Sequence, residues 1–247
     1  MNVTGQMLLA IDAGNTRIKW GIHDGESWRR TGFVGTAKST ELLLQLNSVP
    51  SRIIVSNVAG AAVEANLLAQ LSDTANSIHV IRSLPDQCGV HNSYRRPDQL
   101  GTDRWAAIIG AHSLGPGAKI IVVAGTAMTV DALTAEGIFL GGVIVPGREL
   151  MQNALRANTA QLGVPHGTWD EFPKETADAI TSGAIQASVG AVIRLRDALR
   201  RKIGSDPGCV LSGGGAPLLA PHLPFPALIQ DNLVLDGLAV IAMDIFR

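Results

Sequence analysis

Short apolar runs that each end in a turn are the feature of this 247-residue sequence that most limits its fold. Four runs of three to five apolar residues are each followed by a turn containing Gly, Asn or Ser: Met7–Ile11, Ile53–Val55, Ile120–Val123 and Cys209–Leu211. Runs without polar alternation are typical of strands buried on both faces of a sheet. Helical patterns lie between them, so the chain is predicted to be an α/β protein with covered sheets.

A Gly-Pro-Gly segment at residues 115–117 divides the sequence into two halves, because it ends a helical pattern directly before a new apolar run. A single core stops growing at about 250–300 residues, so two domains of about 120 residues each are compatible with this length. The predicted domains are residues 1–115 and 116–247. The predicted helices are Thr40–Leu46, Ala62–Leu71, Asp103–His112, Glu149–Ala157, Glu175–Lys202 with interruptions, Ala216–Pro221 at most, and Leu233–Ile245.

A weak internal repeat relates the two halves. Leu8–Thr16 and Lys119–Ala127 both contain an apolar strand followed by Ala-Gly and a polar residue. A second strand is predicted after each turn, at Ile18–His23 and Met128–Leu133. Either both halves open with a hairpin around a tight glycine turn, or the Ala-Gly pattern recurs by chance.

Composition and charge exclude several classes of protein. The chain has 20 Lys and Arg against 21 Asp and Glu, so no electrostatic attraction to nucleic acid or to an anionic membrane is predicted. Its longest apolar stretches are shorter than the 18 or more residues of a membrane helix, and its first residues do not resemble a secretory signal. The two cysteines and six histidines lack metal-site spacing. A cytoplasmic protein without a nucleic-acid or membrane partner is therefore expected.

An acidic residue directly follows the first apolar run. Asp12 is succeeded within eight residues by Gly14, Asn15, Thr16 and Lys19. A buried carboxylate needs a cation or several hydrogen-bond donors. Asp12 either accepts backbone N–H bonds within its own turn, or it faces a Mg²⁺-bound phosphate that the backbone and side-chain donors of the turn also contact. The combination of all these groups in one turn favours phosphate binding.

Two further glycine turns follow predicted strands. Ala124–Thr129 is either a plain hairpin turn or a second phosphate-binding turn whose bare backbone approaches the nucleotide. Leu211–Pro217 contains three consecutive glycines, which either form a flexible connection or leave room for a base or a ribose. The sequence contains neither a GxxxxGK[ST] loop nor a GxGxxG fingerprint, so a P-loop NTPase and a Rossmann dehydrogenase are disfavoured.

The segment Tyr94–Arg104 combines a loop with charged residues at the start of a predicted helix. Thr102 or Asp103 is a candidate N-cap of that helix. Asp103 is also a candidate general base for a substrate hydroxyl, and Arg104 can bind a carboxylate or a phosphate oxygen. Capping and catalysis are compatible, because a carboxylate at a helix N-terminus stays ionised.

Taken together, these motifs resemble the type III pantothenate kinase family, also called the Bvg accessory factor family. The matching motifs are Asp12-x-Gly-Asn-Thr-x-x-Lys19, Tyr94-x-x-Pro-x-x-Leu-Gly-x-Asp-Arg104, Gly125-Thr-Ala-x-Thr129, Gly141-Gly-x-Ile-x-Pro-Gly147 and Ser212-Gly-Gly-Gly215. The resemblance implies two duplicated actin-like, ribonuclease H-like ATPase domains with a nucleotide cleft between them. It also implies a homodimer that phosphorylates pantothenate with ATP and Mg²⁺ in the first step toward coenzyme A.

The resemblance also assigns roles to single residues. Asp103 matches the proton acceptor and Thr126 matches an ATP contact. Asp12, from its place in the first turn, is the expected Mg²⁺ position. The first phosphate-binding turn comprises Asp12, Ala13, Gly14, Asn15, Thr16, Arg17, Ile18 and Lys19. The pantothenate-binding positions are Tyr94, Gly101, Thr102, Asp103, Arg104 and Thr176, of which Thr176 is alternatively a helix-start residue without a ligand.

One position departs from the family pattern. The family has an Asp two residues before the Gly-Thr of the second turn, as a ligand for K⁺ or NH₄⁺, whereas this chain has Val123. Valine offers no oxygen, and Asp131 on the following predicted strand is the candidate substitute. The resemblance thus implies a monovalent cation whose ligand position is changed here.

The predicted activity is transfer of the γ-phosphoryl group of ATP to the 4′-hydroxyl of pantothenate, with Asp103 as general base. Two alternatives stay open. The chain could be a kinase of another small hydroxy compound with the same fold, or a weakly active or inactive ATP-binding regulatory protein.

Overall fold

The chain forms two units of strands and helices in the computed structural model, which describes residues 7–46, 48–72, 77–158 and 167–246. By their contacts, Met1–Gly115 and Leu233–Arg247 make up the first unit, and Pro116–Asn232 the second. The strands are β1 (Leu8–Ala13), β2 (Arg17–His23), β3 (Trp28–Gly35), β4 (Arg52–Asn57), β5 (Ser77–Val80), β6 (Asp86–Gln87), β7 (Val90–Asn92), β8 (Lys119–Ala124), β9 (Ala127–Leu133), β10 (Ile138–Pro146), β11 (Gly208–Ser212) and β12 (Leu228–Ile229).

The helices lie between these strands, as the alternating pattern predicted. They are α1 (Ala61–Leu71), α2 (Thr102–Ser113), α3 (Arg148–Asn158), α4 (Thr176–Ile203), α5 (Ala216–Leu219) and α6 (Leu233–Ile245). Short 3₁₀ turns occur at Thr36–Glu41, Leu43–Gln45, Pro97–Gln99 and Ala220–His222. None of the helices in the described part of the chain combines the length and hydropathy needed to cross a bilayer.

The two units share one strand topology. In the first unit the strand order is β3-β2-β1-β4-β5, with antiparallel pairing among β1, β2 and β3 and parallel pairing of β4 with β1 and β5. In the second unit β10-β9-β8-β11-β12 repeats this order and these directions. The weak sequence repeat is therefore a duplicated topology, and both predicted hairpins are confirmed.

Each unit has an apolar core on one face of its sheet. In the first unit Leu9 and Ile11 point into the core together with Ile18. In the second unit Val122 and Val130 pack against α4. Because side chains alternate along a strand, the residues between these core positions, Asp12 among them, lie on the opposite face or at the strand end.

The last helix packs with the first unit. Gly110 on α2 and Gly237 on α6 lie where the two helix backbones meet, since a Cβ on Gly110 would fall 2.5 Å from the carbonyl oxygen of Leu233 and one on Gly237 would strike the carbonyl of Ala106. Only glycine allows so close an approach. The sequence-based division had assigned residues 116–247 to the second domain, because a helical pattern does not indicate which sheet a terminal helix covers.

Several predicted or overlooked segments differ from the structure. Most of Thr40–Leu46, predicted as an α-helix, lies in the two successive 3₁₀ turns Thr36–Glu41 and Leu43–Gln45. The strands β3 and β10 were not predicted, and they occupy equivalent places in the two units. In β3 exposed polar residues break the apolar run, and in β10 a positive φ of 125° at Gly141 accompanies a register shift.

Candidate active site

The turn between β1 and β2 is closed by the residue that follows β3. The N–H of Gly14 donates to the carbonyl of Arg17 at 3.0 Å. Thr36 donates its N–H to the carbonyl of Thr16 at 3.1 Å and its hydroxyl to the carbonyl of Gly14 at 2.6 Å. These bonds hold the turn while its tip stays in solvent; the exposed residues are Asn15, Thr16 and Arg17. The predicted phosphate-binding turn is thus rigid at its base and accessible at its tip.

Asp12 lies at the end of β1 in an environment that disfavours its ionised form. It pairs with Lys19 on β2 and with Ser56 on β4. Its Oδ1 is enclosed and has no hydrogen-bond partner among the described residues. Burial, and after it the nearby charge of Asp103, raise the pKa of Asp12 to about 7, against the opposing effects of the Lys19 charge and the Ser56 hydroxyl. A cation at this carboxylate would relieve both causes of the rise.

Asp103 lies in the first turn of α2, and its carboxylate folds back over the start of the helix. The N-cap is Gly101, without a side-chain capping bond, so the prediction that Thr102 or Asp103 caps this helix was wrong. Asp103 Oδ1 instead accepts the backbone N–H of Arg104 at 2.8 Å. Burial raises the pKa of Asp103, and the N–H and the charge of Arg104 oppose that rise. A raised pKa makes a carboxylate a better proton acceptor near neutral pH.

Because Gly101 has no side chain, the Asp103 carboxylate can occupy the space next to it. A Cβ on Gly101 would lie 2.6 Å from Asp103 Oδ1, while the φ of −56° suits any residue. Gly101→Ala should therefore fold normally and displace the carboxylate. We expect kcat to fall about tenfold to hundredfold, because a misplacement of about 1 Å at a reacting group has effects of this size.

The matched control for this variant is Gly190→Ala. Gly190 is exposed on α4, and a Cβ there would meet nothing within 4 Å. Steady-state kinetics and thermal unfolding of both variants check the prediction. Unchanged kcat in a folded Gly101→Ala protein would show that the Asp103 carboxylate does not need this position.

Thr102 directs its side chain into the first unit. Its Oγ1 lies 2.9 Å from Ser56 Oγ and 3.4 Å from the carbonyl oxygen of Asn57. Both hydroxyls are buried. Sequence reasoning assigned no role to Ser56, although it directly follows the predicted strand Ile53–Val55. A contact of Thr102 with a substrate would accordingly use its backbone.

Arg104 and Tyr94 form a pair beside this helix start. Arg104 is buried, and its Nη1 donates to the Tyr94 hydroxyl at 3.0 Å. The guanidinium also lies over the Tyr94 ring, 5.8 Å from the centroid. The structure thus brings Tyr94 next to Arg104, at the helix start that also carries Gly101 and Asp103.

A cavity of about 520 Å³ opens next to this cluster. Val58 lines it, and the Cγ1 of Val58 lies 3.8 Å from the position of a Cβ on Gly101. Glu64 and Arg82, which form an ion pair at 2.9 Å, lie on its wall. The cavity therefore offers room for a small polar molecule beside Val58, which lies close to Gly101.

The β8–β9 turn of the second unit repeats the construction of the β1–β2 turn. The N–H of Gly125 donates to the carbonyl of Ala127 at 3.0 Å, and Gly147, which follows β10, donates its N–H to the carbonyl of Thr126 at 2.8 Å. The N–H of Gly215 donates to the Ala124 carbonyl at 3.0 Å. Three of the predicted glycine motifs thus meet around the exposed Thr126.

The residue equivalent to Asp12 in the second unit is Val123. Each precedes Ala-Gly at the end of the first strand, and Val123 pairs with Ser212 as Asp12 pairs with Ser56. Thr129, opposite Val123, is buried, and its Oγ1 has no hydrogen-bond partner among the described residues. Asp131 lies on the same face of β9, two residues further along, and is buried. The residue present at 123 does not fit a cation ligand.

Thr176 is the first residue of α4 and is exposed. Its helix has Glu175 as N-cap, without a side-chain capping bond. Thr126 and Thr176 belong to the second unit, whereas Tyr94 and Asp103 belong to the first. The predicted role of Thr176 stays a prediction.

Comparison with known proteins identifies the family of this chain. The family model described as type III pantothenate kinase matches residues 8–198. The type III pantothenate kinase of Nitrosospira multiformis is 44% identical over 240 residues, which cover 96% of this chain and 92% of the relative. The chain belongs to the type III pantothenate kinase family. Members of this family are kinases, and the predicted family and enzyme class are confirmed.

Solved structures support the fold of this pantothenate kinase family member. A protein of Campylobacter jejuni described as a Baf family transcriptional activator has a TM-score of 0.64 at 22% identity, covering 96% of this chain and 98% of that one. A protein of Sinorhizobium meliloti described as a 2-dehydro-3-deoxygalactonokinase has a TM-score of 0.61 at 16% identity, covering 97% and 99%. The predicted duplicated, actin-like α/β fold is confirmed.

Proposed function

We propose that this chain transfers the γ-phosphoryl group of ATP to the 4′-hydroxyl of pantothenate, with Asp103 as the general base. The observation that carries the proposal is the pair of half-buried carboxylates, Asp12 and Asp103, close enough for the charge of one to raise the pKa of the other. Two acids so placed are typical of a site in which one holds a cation and the other accepts a proton. The two substrates of the proposal, ATP and pantothenate, are inferred from the family to which the chain belongs.

Asp103 acts on the acceptor. Its ionised carboxylate accepts the hydroxyl proton of pantothenate as the oxygen attacks the γ-phosphorus in line with the leaving group. Arg104 and Tyr94, which are hydrogen-bonded to each other, bind the acceptor next to it. Thr176 is proposed as a further pantothenate contact on the basis of the family motif.

The turn from Asp12 to Lys19 and Thr126 are proposed to bind ATP. The exposed tip of the first turn offers backbone and side-chain donors for phosphate oxygens, and Lys19 adds a positive charge. The orphaned Asp12 Oδ1 fits Mg²⁺, which favours one or two carboxylates together with phosphate oxygens. When bound there, Mg²⁺ would neutralise phosphate charge.

A coupled assay of ADP release tests the activity. With pantothenate, ATP and Mg²⁺ we expect turnover well above the ATPase background, and 4′-phosphopantothenate as product by mass spectrometry. Turnover with another hydroxy compound and none with pantothenate would reveal a different kinase. No ADP above background under any condition would favour an ATP-binding regulatory protein.

The same assay tests the monovalent cation. Because Val123 offers no oxygen, we expect activation by K⁺ or NH₄⁺ to be weaker in this chain than in its Val123→Asp variant. The comparison replaces K⁺ by tetramethylammonium at constant ionic strength. Equal and strong activation of both proteins would mean that other oxygen atoms, such as Thr129 Oγ1, hold the cation.

We also propose that the protein works as a homodimer, as in its family. Exposed apolar side chains on β10 and α3 support an apolar contact surface; these are Val143, Ile144, Leu150 and Leu155. Light scattering coupled to size exclusion should give about twice the mass of 25.9 kDa. The mass of a single chain at micromolar concentration would contradict it.

A further inference from the structure

The buried hydroxyls of Ser56 and Thr102 connect the two proposed catalytic carboxylates. Ser56 is fully buried on β4, directly beside Asp12 in the strand register. Its hydroxyl lies beside the Asp12 carboxyl group, where it lowers the pKa of that group, and 2.9 Å from Thr102 Oγ1. Thr102 is the first residue of α2 and precedes Asp103. One chain of contacts therefore runs from the end of β1 through β4 to the base-bearing helix turn.

We propose that Ser56 is a positioning residue that fixes the Asp12 carboxylate for cation binding and ties it to the start of α2. The inference rests on the proposed function, since it assumes that Asp12 holds a divalent cation. A serine hydroxyl has one proton, which it donates to one acceptor, and two lone pairs, which accept from another donor. Ser56 can thus donate to ionised Asp12 while it accepts the single proton of Thr102 at 2.9 Å, in place of the longer contact of 3.4 Å between Thr102 and the Asn57 carbonyl.

This arrangement leaves one carboxylate oxygen for the cation. Oδ1 of Asp12 has no hydrogen-bond partner among the described residues, so in the proposed arrangement Ser56 on the neighbouring strand donates to the other oxygen. A hydrogen bond to one oxygen restricts rotation of the carboxylate and keeps its second oxygen at a constant position. Groups that orient a metal ligand in this way typically change metal affinity about 10- to 100-fold when they are removed.

The second unit contains a serine at the position equivalent to Ser56, but that serine has no carboxylate beside it. Ser212 occupies the position of Ser56 in the duplicated topology, and it is equally buried. Its neighbour on β8 is Val123 rather than a carboxylate. If the serine only stabilises the sheet, its replacement should have the same effect in both units. If it positions a carboxylate, its replacement should weaken metal binding in the first unit alone.

Three variants test the proposal: Ser56→Ala, Ser56→Cys and Ser212→Ala. The cysteine variant keeps the side-chain volume and replaces a good donor by a weak one. For both Ser56 variants we expect about a tenfold or larger rise in the Mg²⁺ concentration at half-maximal velocity and in the Kd for Mn²⁺ of the protein–ADP complex, measured by electron paramagnetic resonance. KM for pantothenate should stay within about twofold, and kcat should fall about tenfold.

For Ser212→Ala we expect changes of less than about twofold in both metal measurements, whatever its unfolding temperature. The proposal is overturned if folded Ser56→Cys binds Mn²⁺ like the wild type, or if Ser212→Ala weakens Mn²⁺ binding as much. Because Mn²⁺ binding requires no turnover, its result stays informative if the wild type proves inactive with pantothenate. An inactive wild type that nevertheless shows the Ser56 effect would contradict the proposed function and leave the positioning role intact.

Discussion

Asp103→Asn is expected to lower kcat for pantothenate phosphorylation by about 10²–10⁴-fold, the usual contribution of a general base. The amide keeps the shape of the side chain and cannot accept the proton. It can still accept the backbone N–H of Arg104 through its oxygen, so the start of α2 should be preserved. ADP binding, measured by calorimetry, should change by less than about twofold.

The matched control is Asp98→Asn. Asp98 lies in the same loop, is exposed and pairs with Arg96 at 2.7 Å. Its loss should leave kcat within about twofold, because exposed ion pairs contribute at most about 1 kcal/mol. Near-normal turnover of Asp103→Asn would refute the base assignment.

The pH profile provides a second measure of the same group. Burial raises the pKa of Asp103, and only its ionised form accepts a proton. Activity should therefore be lost as the pH falls through a pKa above the usual carboxyl range, and kcat/KM should show this acidic limb. In Asp103→Asn the residual activity should lack that limb.

Asp12→Asn should weaken the response to Mg²⁺ by at least about tenfold, because a neutral amide is a poor substitute for a carboxylate ligand. A Mg²⁺ titration of velocity at fixed ATP measures this shift. A titration curve identical to that of the wild type would exclude Asp12 as the metal position.

The same substitution should stabilise the metal-free protein at neutral and alkaline pH. The pKa of Asp12 is about 7 in the folded state against 3.8 for the unfolded chain. The folded state therefore binds the proton more tightly, so ionised Asp12 begins to destabilise the fold above pH 4, and the penalty is complete above pH 7. Asp12→Asn removes a penalty of about 2–4 kcal/mol.

Urea unfolding of the wild type and of Asp12→Asn, without metal at pH 8 and at pH 4.5, tests whether the substitution stabilises the protein. The gain in the free energy of unfolding should be largest at pH 8 and should shrink toward pH 4.5. Asp98→Asn again serves as control, since its pKa is lowered by Arg96 and its loss should not stabilise the protein at pH 8. A destabilised Asp12→Asn at pH 8 would show that the wild-type carboxylate is compensated without a cation.

Duplication of the fold did not duplicate the chemistry. Both units close their first turn through the residue after the third strand, yet Asp12 and Lys19 of the first unit correspond to Val123 and Thr129 of the second. The end of the first strand therefore carries a charged pair in the first unit and an uncharged pair in the second.

The sequence alone determined the fold class, the family and most of the candidate site. Apolar runs ending in turns indicated buried strands, because a strand covered on both faces carries few polar residues. The motifs around Asp12 and Asp103 indicated phosphate and base chemistry, since those side chains need specific partners when they lie near a core. These features are local in the chain, and local patterns can be recognised without a structure.

Only the tertiary structure decided which distant residues complete the site. Ser56 reaches Asp12 through parallel strand pairing and Thr102 through packing of α2, and Gly101 leaves room for the Asp103 carboxylate. The last helix joins the first unit because Gly110 and Gly237 let two helices approach closely. Strand register and helix contact join residues far apart in the chain, and they depend on the fit of whole surfaces, which no single segment of sequence encodes.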